Sequence, residues 1–393
     1  MAERSSSGDV LMTITEEQLE TGLRGYPVGY CVTSSVDPQQ GLFYQGYPVA
    51  ELADWEPEEV IYLLWHGQKG DREEISAFSL EIEKRAHLSK ELEQQIALLP
   101  RKGNPMKLLS IALLLTGMLE GKNNYREDAL DLVAKIPLVV AKLIRHHAGW
   151  EGVFENRPEL GYIENFAQLL SPPGMKGEEL TRLFKIFNIL HYDHGGGNLS
   201  AFTGKAVSSG LEDLYGSIAA AMSALAGPRH GRANQDSLHF LEGFVARLGP
   251  EASLEEVEKE VRSIVEQHGL LFGFGHAVLR VEDPRATLFY RIGQEQYGKD
   301  PLISMALKLR QVVPPILLEG SRVADPYPNV DAISGALLSA AGFPYPAYFT
   351  LLFGLARCVG IARQIIYERC EARQGKGVPI YRPKFFKKEL KKS

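Results

Sequence analysis

Residues 211–226 read LEDLYGSIAAAMSALA, and the spacing of their apolar side chains decides how the chain folds. Leu211, Leu214, Ile218, Met222 and Leu225 recur every three or four positions, the period of one helix face. Gly216, Ala219, Ala220, Ser223 and Ala224 fill the other faces. A helix with such small side chains lets neighbours approach on several sides, which suits a crowded core or a subunit interface. Gly227-Pro228 closes the segment, because neither residue continues a helix well.

Outward from this segment the chain reads as helix after helix. Residues 54–64 place Trp55, Val60, Ile61, Leu63 and Leu64 at helical spacing. Asn104-Pro105 is a helix start, with Asn as cap and Pro in the first turn, and the apolar run behind it predicts a buried helix. A last long helix is predicted over about 347–373, striped by Leu352, Leu355, Val359, Ala362 and Ile366. Arg357 lies off that stripe, one turn from Phe353 and from Ile361. Such an arginine needs an anion, supplied by an internal carboxylate or by a ligand. The one β signal is in residues 28–48. There Tyr30-Cys31-Val32-Thr33 and Leu42-Phe43-Tyr44 flank the turn composition Asp37-Pro38-Gln39-Gln40-Gly41. Residues 1–15 and the basic end from Lys384 to Lys392 read as solvated tails, and no repeat is present.

The 393 residues suffice for two domains, and 45% hydrophobic content supports an ordinary core. With 43 basic and 49 acidic residues the net charge is −6, which gives no argument for a nucleic-acid partner. Cys31, Cys358 and Cys370 are too few and too odd in number for a disulfide framework, and they fit a reducing compartment. The start of the chain has no secretory pattern, and the apolar run near 108–119 is shorter than the roughly 20 residues a membrane span needs. The expectation is a cytoplasmic chain with no membrane partner.

Four clusters carry chemistry. His191-Tyr192-Asp193-His194, followed by Gly195-Gly196-Gly197-Asn198, has two histidines and an aspartate that could begin a metal site, although no third ligand lies at a recognisable spacing. A loop histidine near a helix start is the plainer reading. Gly227-Pro228-Arg229-His230-Gly231 puts a histidine before a predicted helix, where the dipole keeps an imidazole neutral and able to donate to an oxyanion. Gly275-His276-Ala277-Val278-Leu279-Arg280, with Asp283-Pro284-Arg285, sets a histidine beside two arginines, the makings of an acid–base site for an anion. Pro326-Tyr327-Pro328-Asn329-Val330-Asp331 stiffens the chain before an aspartate that, taken singly, reads as a helix cap.

Taken in order, these clusters resemble the citrate synthase family. Ser334-Gly335, Phe353-Gly354 with Arg357, and Arg382-Pro383 continue the match, which runs from Gly46-Tyr47-Pro48 nearly to the end. The resemblance implies an all-α, two-domain homodimer with a short N-terminal β-hairpin. Residues 1–231 and 343–393 would form the large domain and residues 232–342 the small one, with the site in a cleft that closes on substrate. It implies condensation of acetyl-CoA with oxaloacetate, then hydrolysis of the citryl thioester, with no cofactor and no metal. Asp331 matches the base, His230 the donor to the thioester oxygen, and His276 the donor to the oxaloacetate carbonyl. Arg285, Arg357 and His194 match oxaloacetate ligands, and Arg382 matches an arginine supplied by the partner subunit. Arg280 and Arg322 match residues facing the CoA phosphates. Arg322 replaces a lysine of relatives, and Ala324 stands where some place a second one.

The alternative within the family is 2-methylcitrate synthase, using propionyl-CoA. One methyl changes discrimination by only about 1–3 kcal/mol. A lyase running the reaction backwards is a third option. From other classes come an inactive scaffold, opposed by the presence of His230, His276 and Asp331, and a metal hydrolase on His191, Asp193 and His194. The extra N-terminal β-rich domain of NADH-regulated bacterial relatives is missing from this sequence, so neither NADH control nor its hexamer is expected.

Overall fold

A computed structural model describes residues 10–22, 24–174, 177–319 and 325–388. Arg322 and Ala324 lie outside the described residues. The chain opens with a three-stranded antiparallel sheet of β1 (Ser34–Asp37), β2 (Gly41–Tyr44) and β3 (Tyr47–Pro48). Ser34 pairs with Tyr44 and Val36 with Leu42. The first strand thus lies C-terminal to Tyr30–Thr33, where composition had placed it. The Asp37 carboxylate accepts the Gln39 and Gln40 N–H groups and tightens the turn so that pairing reaches Asp37 itself.

After the sheet the regular elements among the described residues are helices. A 3-10 segment, Val49–Asp54, leads into α1 (Pro57–His66), α2 (Arg72–Arg85) and α3 (Lys90–Ala97). Then come α4 (Pro105–Glu120), α5 (Tyr125–Ala148), α6 (Tyr162–Leu170) and α7 (Gly177–His191). Next are α8 (Leu199–Ser209), α9 (Leu214–Leu225) and α10 (Ala233–Leu248). The last five are α11 (Leu254–Glu266), α12 (Pro284–Tyr297), α13 (Pro301–Glu319), α14 (Asp331–Ala340) and α15 (Phe349–Ile366).

The helix starts follow the caps. Asn104 accepts the Met106 N–H ahead of α4, as its position before Pro105 predicts. The Asp213 carboxylate caps α9, so that helix begins at Leu214. Leu211 is left in a turn with φ 69°, exposed and outside the stripe assigned to it. The final long helix ends at Ile366 and passes into one π turn, Tyr367–Glu371, rather than running to 373.

α15 is the central strut, and α1, α4, α5, α7, α8 and α9 pack around it. It is apolar on every side and almost wholly buried. Helices α10 to α14 pack chiefly on one another, with α10 and α14 face to face. By length and composition alone, α13 and the stretch Pro346–Glu371 are long and apolar enough to cross a membrane, which the run at 108–119 is not. The second stretch lies almost entirely inside the fold. α4 is buried on one side only: Ile111, Leu114 and Met118 face outward as an apolar row.

Candidate active site

The site is assembled from helix ends and the loops before them. The loop 192–198 follows α7, and Asn198 caps α8 by accepting the Ala201 N–H at 3.0 Å. The Asp283 carboxylate caps α12 and presents Arg285 in its first turn. The histidine loop and the proline-rich loop are joined. Phe274 bridges Pro328, the Gly275 N–H donates to the Tyr327 carbonyl at 2.9 Å, and the Asn329 side-chain amide donates to the Gly275 carbonyl at 2.9 Å. Gly273 is needed here: its φ is +83°, and a Cβ would lie 2.6 Å from Ala332 Cα. The hairpin reaches the same region, where the Arg280 N–H donates to the Pro38 carbonyl at 2.8 Å.

His230 lies in a turn three residues before α10, and it is not the N-terminus of that following helix that meets its ring. Instead Nε2 accepts the Ser200 N–H at 3.2 Å, in the first turn of α8, with the Ser200 hydroxyl 2.9 Å away. This bonding puts the ring proton on Nδ1. Burial, and then the charge of Arg357, push its pKa down to about 4. His276 has the opposite tautomer. Its Nδ1 accepts the N–H groups of Val278 and Leu279 at 3.0 and 2.9 Å, which leaves Nε2 as donor. Burial and Arg285 push it, too, down to about 4. His194 packs beside it, ring centroids 5.4 Å apart, and its buried Nε2 has no partner among the described residues. Burial holds it far below the ordinary histidine range, with Arg285 and Arg357 adding to the effect.

Asp331 is the first residue of α14 and not its cap. Its N–H is taken by the Asn329 side chain at 3.0 Å, and its own carboxyl accepts no hydrogen bond among the described residues. Burial pushes that carboxyl up to about 7, although Arg285 and Arg357 pull the other way. Arg285 is buried and gives Nε and Nη2 to Asp283, at 2.7 Å for the ion pair. Arg357 is also buried, donates Nε to the His191 carbonyl at 3.0 Å, and lies 4.6 Å over the Phe353 ring. No carboxylate makes a direct ion pair with it among the described residues; buried Asp193 supports its charge only from a distance. Burial lowers its pKa to about 10.

The structure thus brings His194, His230, His276, Arg285, Asp331 and Arg357 together. Arg280 lies at the rim, exposed, with Nη1 on its own loop's carbonyls at Val278 and Leu279. Arg382 is exposed on the C-terminal segment and does not join the cluster. Asp193 and His191 are not free for a metal. Asp193 is fully buried and accepts from Thr33, from Ser34 at 2.7 Å and from Gln364 at 2.8 Å. His191 bonds the Phe187 carbonyl at 2.6 Å. No group of three His, Cys, Asp or Glu placed to hold a metal occurs among the described residues. Sequence reasoning missed Ser200, Asn329 and the hairpin hydroxyls of Thr33 and Ser34. Asn329 stands inside a quoted motif, but the others carry no signal in one sequence.

A helical fold with two neutral histidines, an unbonded carboxyl and buried arginines in one cluster has the chemistry to polarise a carbonyl and to hold an anion. The model of the citrate synthase C-terminal domain family matches residues 22–384, and the chain belongs to the citrate synthase family. Citrate synthase 4, mitochondrial, of Arabidopsis thaliana is 33% identical, over 97% of this chain and 84% of that one. The crystal structure of citrate synthase from Pyrobaculum aerophilum superposes with a TM-score of 0.81 at 28% identity, covering 100% of this chain and 98% of the other. The Thermoplasma acidophilum enzyme, in a ternary complex with carboxymethyl coenzyme A and oxaloacetate, gives 0.78 at 25% identity, covering 94% and 97%.

Proposed function

We propose that this chain condenses acetyl-CoA with oxaloacetate and hydrolyses the resulting citryl-CoA to citrate and CoA. One observation carries the reading: a neutral Nδ1–H donor on His230, a neutral Nε2–H donor on His276 and the Asp331 carboxyl are coupled to the same two buried arginines, His230 to Arg357, His276 to Arg285 and Asp331 to both. The Asp331 carboxylate takes a proton from the thioester methyl. A carboxylate is weak for this unless the enolate is stabilised as it forms, and the His230 donor to the thioester oxygen does that. The enol carbon then attacks the ketone carbon of oxaloacetate while His276 donates to the oxygen that gains charge. Water cleaves the thioester, and CoA leaves as the thiol.

Arg285, Arg357 and His194 hold the oxaloacetate carboxylates in this reading. Arg285 keeps Nη1 unused by Asp283, and Arg357 makes no direct ion pair among the described residues. Arg280 faces the CoA phosphates from the rim. No metal and no cofactor is needed, because proton transfer and polarisation use side chains alone. The helices α10 to α14, within 232–342, act as the small domain that closes over the cleft, and residues 1–231 and 343–393 form the large one. The active form is a homodimer in which Arg382 completes the partner's site. The exposed apolar row Ile111, Leu114 and Met118 supports a second copy against α4.

The test is CoA thiol release with oxaloacetate, comparing acetyl-CoA and propionyl-CoA, with Asp331→Ala as control. Release favouring acetyl-CoA and lost in the variant is expected. A propionyl-CoA preference moves the assignment to 2-methylcitrate synthase, and no release with either acyl-CoA overturns the enzyme reading.

A further inference from the structure

Behind the histidine loop lies a buried charge pair that the reaction does not use. Lys205, midway along α8, meets Glu368 of the π turn at 3.1 Å, and both side chains are almost wholly buried. The pair is close under the glycine loop, since a Cβ on Gly196 would come within 2.7 Å of Lys205 Nζ. Burying two charges is costly unless good geometry and further hydrogen bonds offset the desolvation. A π turn is itself a local insertion that proteins retain mostly at functional positions.

The C-terminal segment holds Glu368 as well, on the same carboxylate oxygen that meets Lys205. The Tyr381 hydroxyl donates to its Oε1 at 3.0 Å, and the Val378 N–H donates to its backbone carbonyl at 2.8 Å. The Tyr381 N–H donates to Ser209 Oγ at 3.0 Å, at the far end of α8, and its ring lies 5.9 Å from Phe202. Burial and the Glu368 carboxylate hold the Tyr381 hydroxyl above the usual phenol range, so it remains a donor. One helix therefore carries the N–H that fixes His230, the cation that fixes Glu368 and the hydroxyl that fixes Tyr381. The residue after Tyr381 is Arg382, exposed and without a partner of its own among the described residues.

We propose that the buried Lys205–Glu368 pair, acting through Tyr381, positions Arg382 for the partner subunit's oxaloacetate. This rests on the reading of Arg382 given above. Tyr381 is a positioning residue, so its effect must pass through Arg382 and disappear when that arginine is gone.

Kinetics on the full-length dimer with oxaloacetate varied test this, using Tyr381→Phe, Arg382→Ala and the double variant. Tyr381→Phe keeps the ring and the backbone anchor, so it folds even where Glu368→Gln does not. Tyr381→Phe is expected to raise the oxaloacetate KM about tenfold, the effect of losing one hydrogen bond to a charged group, with kcat little changed. In the Arg382→Ala background it is expected to add nothing to KM while lowering Tm as it does in the parent. An equal KM rise in both backgrounds, or none in the parent, overturns the inference. No effect of Arg382→Ala itself overturns the cross-subunit reading and this inference with it.

Discussion

His230 Nε2 accepts the backbone N–H of Ser200 at 3.2 Å, and this fixes which ring nitrogen carries the proton. His276 is bonded the other way round, through Nδ1. Two histidines of one site thus hold opposite tautomers, each dictated by backbone N–H groups. Nitrogen NMR at neutral pH is expected to show His230 protonated on Nδ1 and His276 on Nε2. Because burial pushes both down to about 4, neither ring is expected to titrate near pH 6.5. An imidazolium signal from either at pH 6 contradicts the donor roles. His230→Ala is expected to lower kcat by roughly 10²–10³, the usual cost of one oxyanion donor.

Asp331 couples activity and stability with opposite signs. Its carboxyl stands at about 7 in the fold against an ordinary 3.8, so the native state holds its proton more tightly than the unfolded chain. Stability therefore falls as pH rises from 4 to 7, while the active carboxylate accumulates over the upper part of that range. At ~1.4 kcal/mol per decade the penalty is at most about 4 kcal/mol. Asp331→Asn is expected to abolish CoA release and yet melt higher than the parent at pH 8, with the two curves meeting near pH 4. The parent's kcat/KM is expected to rise with pH through about 7. A variant that melts lower than the parent at pH 8 refutes the buried-charge account.

Asp193 decides the metal reading. Its oxygens are taken by Thr33, Ser34 and Gln364, and it ties the hairpin to α15. Exhaustive chelation is expected to leave CoA release unchanged. Asp193→Ala is expected to lower Tm strongly, since it leaves buried donors unpaired. Loss of activity on chelation, restored by a divalent ion, favours the hydrolase built on His191, Asp193 and His194.

Local pattern carried much of this fold. The 3.6-residue spacing in 211–226 and the Asn104 cap both reappear as helices, with ends displaced where a cap acts that periodicity does not see. Leu211 fits the stripe but precedes the Asp213 cap, and so turns away. Contiguous motifs also pointed to residues that the fold brings together: His276, Arg285 and Asp331 stand beside glycines and prolines that shape their loops. What one sequence could not show is contact between distant segments. Ser200 meets His230 across 30 positions and Thr33 meets Asp193 across 160. Both use a backbone group or a common hydroxyl, which leaves no compositional trace.

Arg357 is the site's largest unmet demand. It is buried, lies over the Phe353 ring, and has only the His191 carbonyl as a direct partner among the described residues. A buried cation with no direct ion pair costs stability, which Asp193 offsets only in part and an incoming anion can return. Arg357→Met keeps most of the volume and removes the charge. The unliganded variant is expected to melt no lower than the parent. Oxaloacetate is expected to raise the parent's Tm and leave the variant's unchanged, since a ligand stabilises only the state that binds it. The variant's oxaloacetate KM is expected to rise by roughly 10²-fold, as befits a hydrogen-bonded charge pair of about 2–3 kcal/mol. Differential scanning fluorimetry with and without oxaloacetate separates the outcomes. An unliganded variant that melts well below the parent makes Arg357 a structural residue, and an undiminished oxaloacetate shift removes it from the binding site.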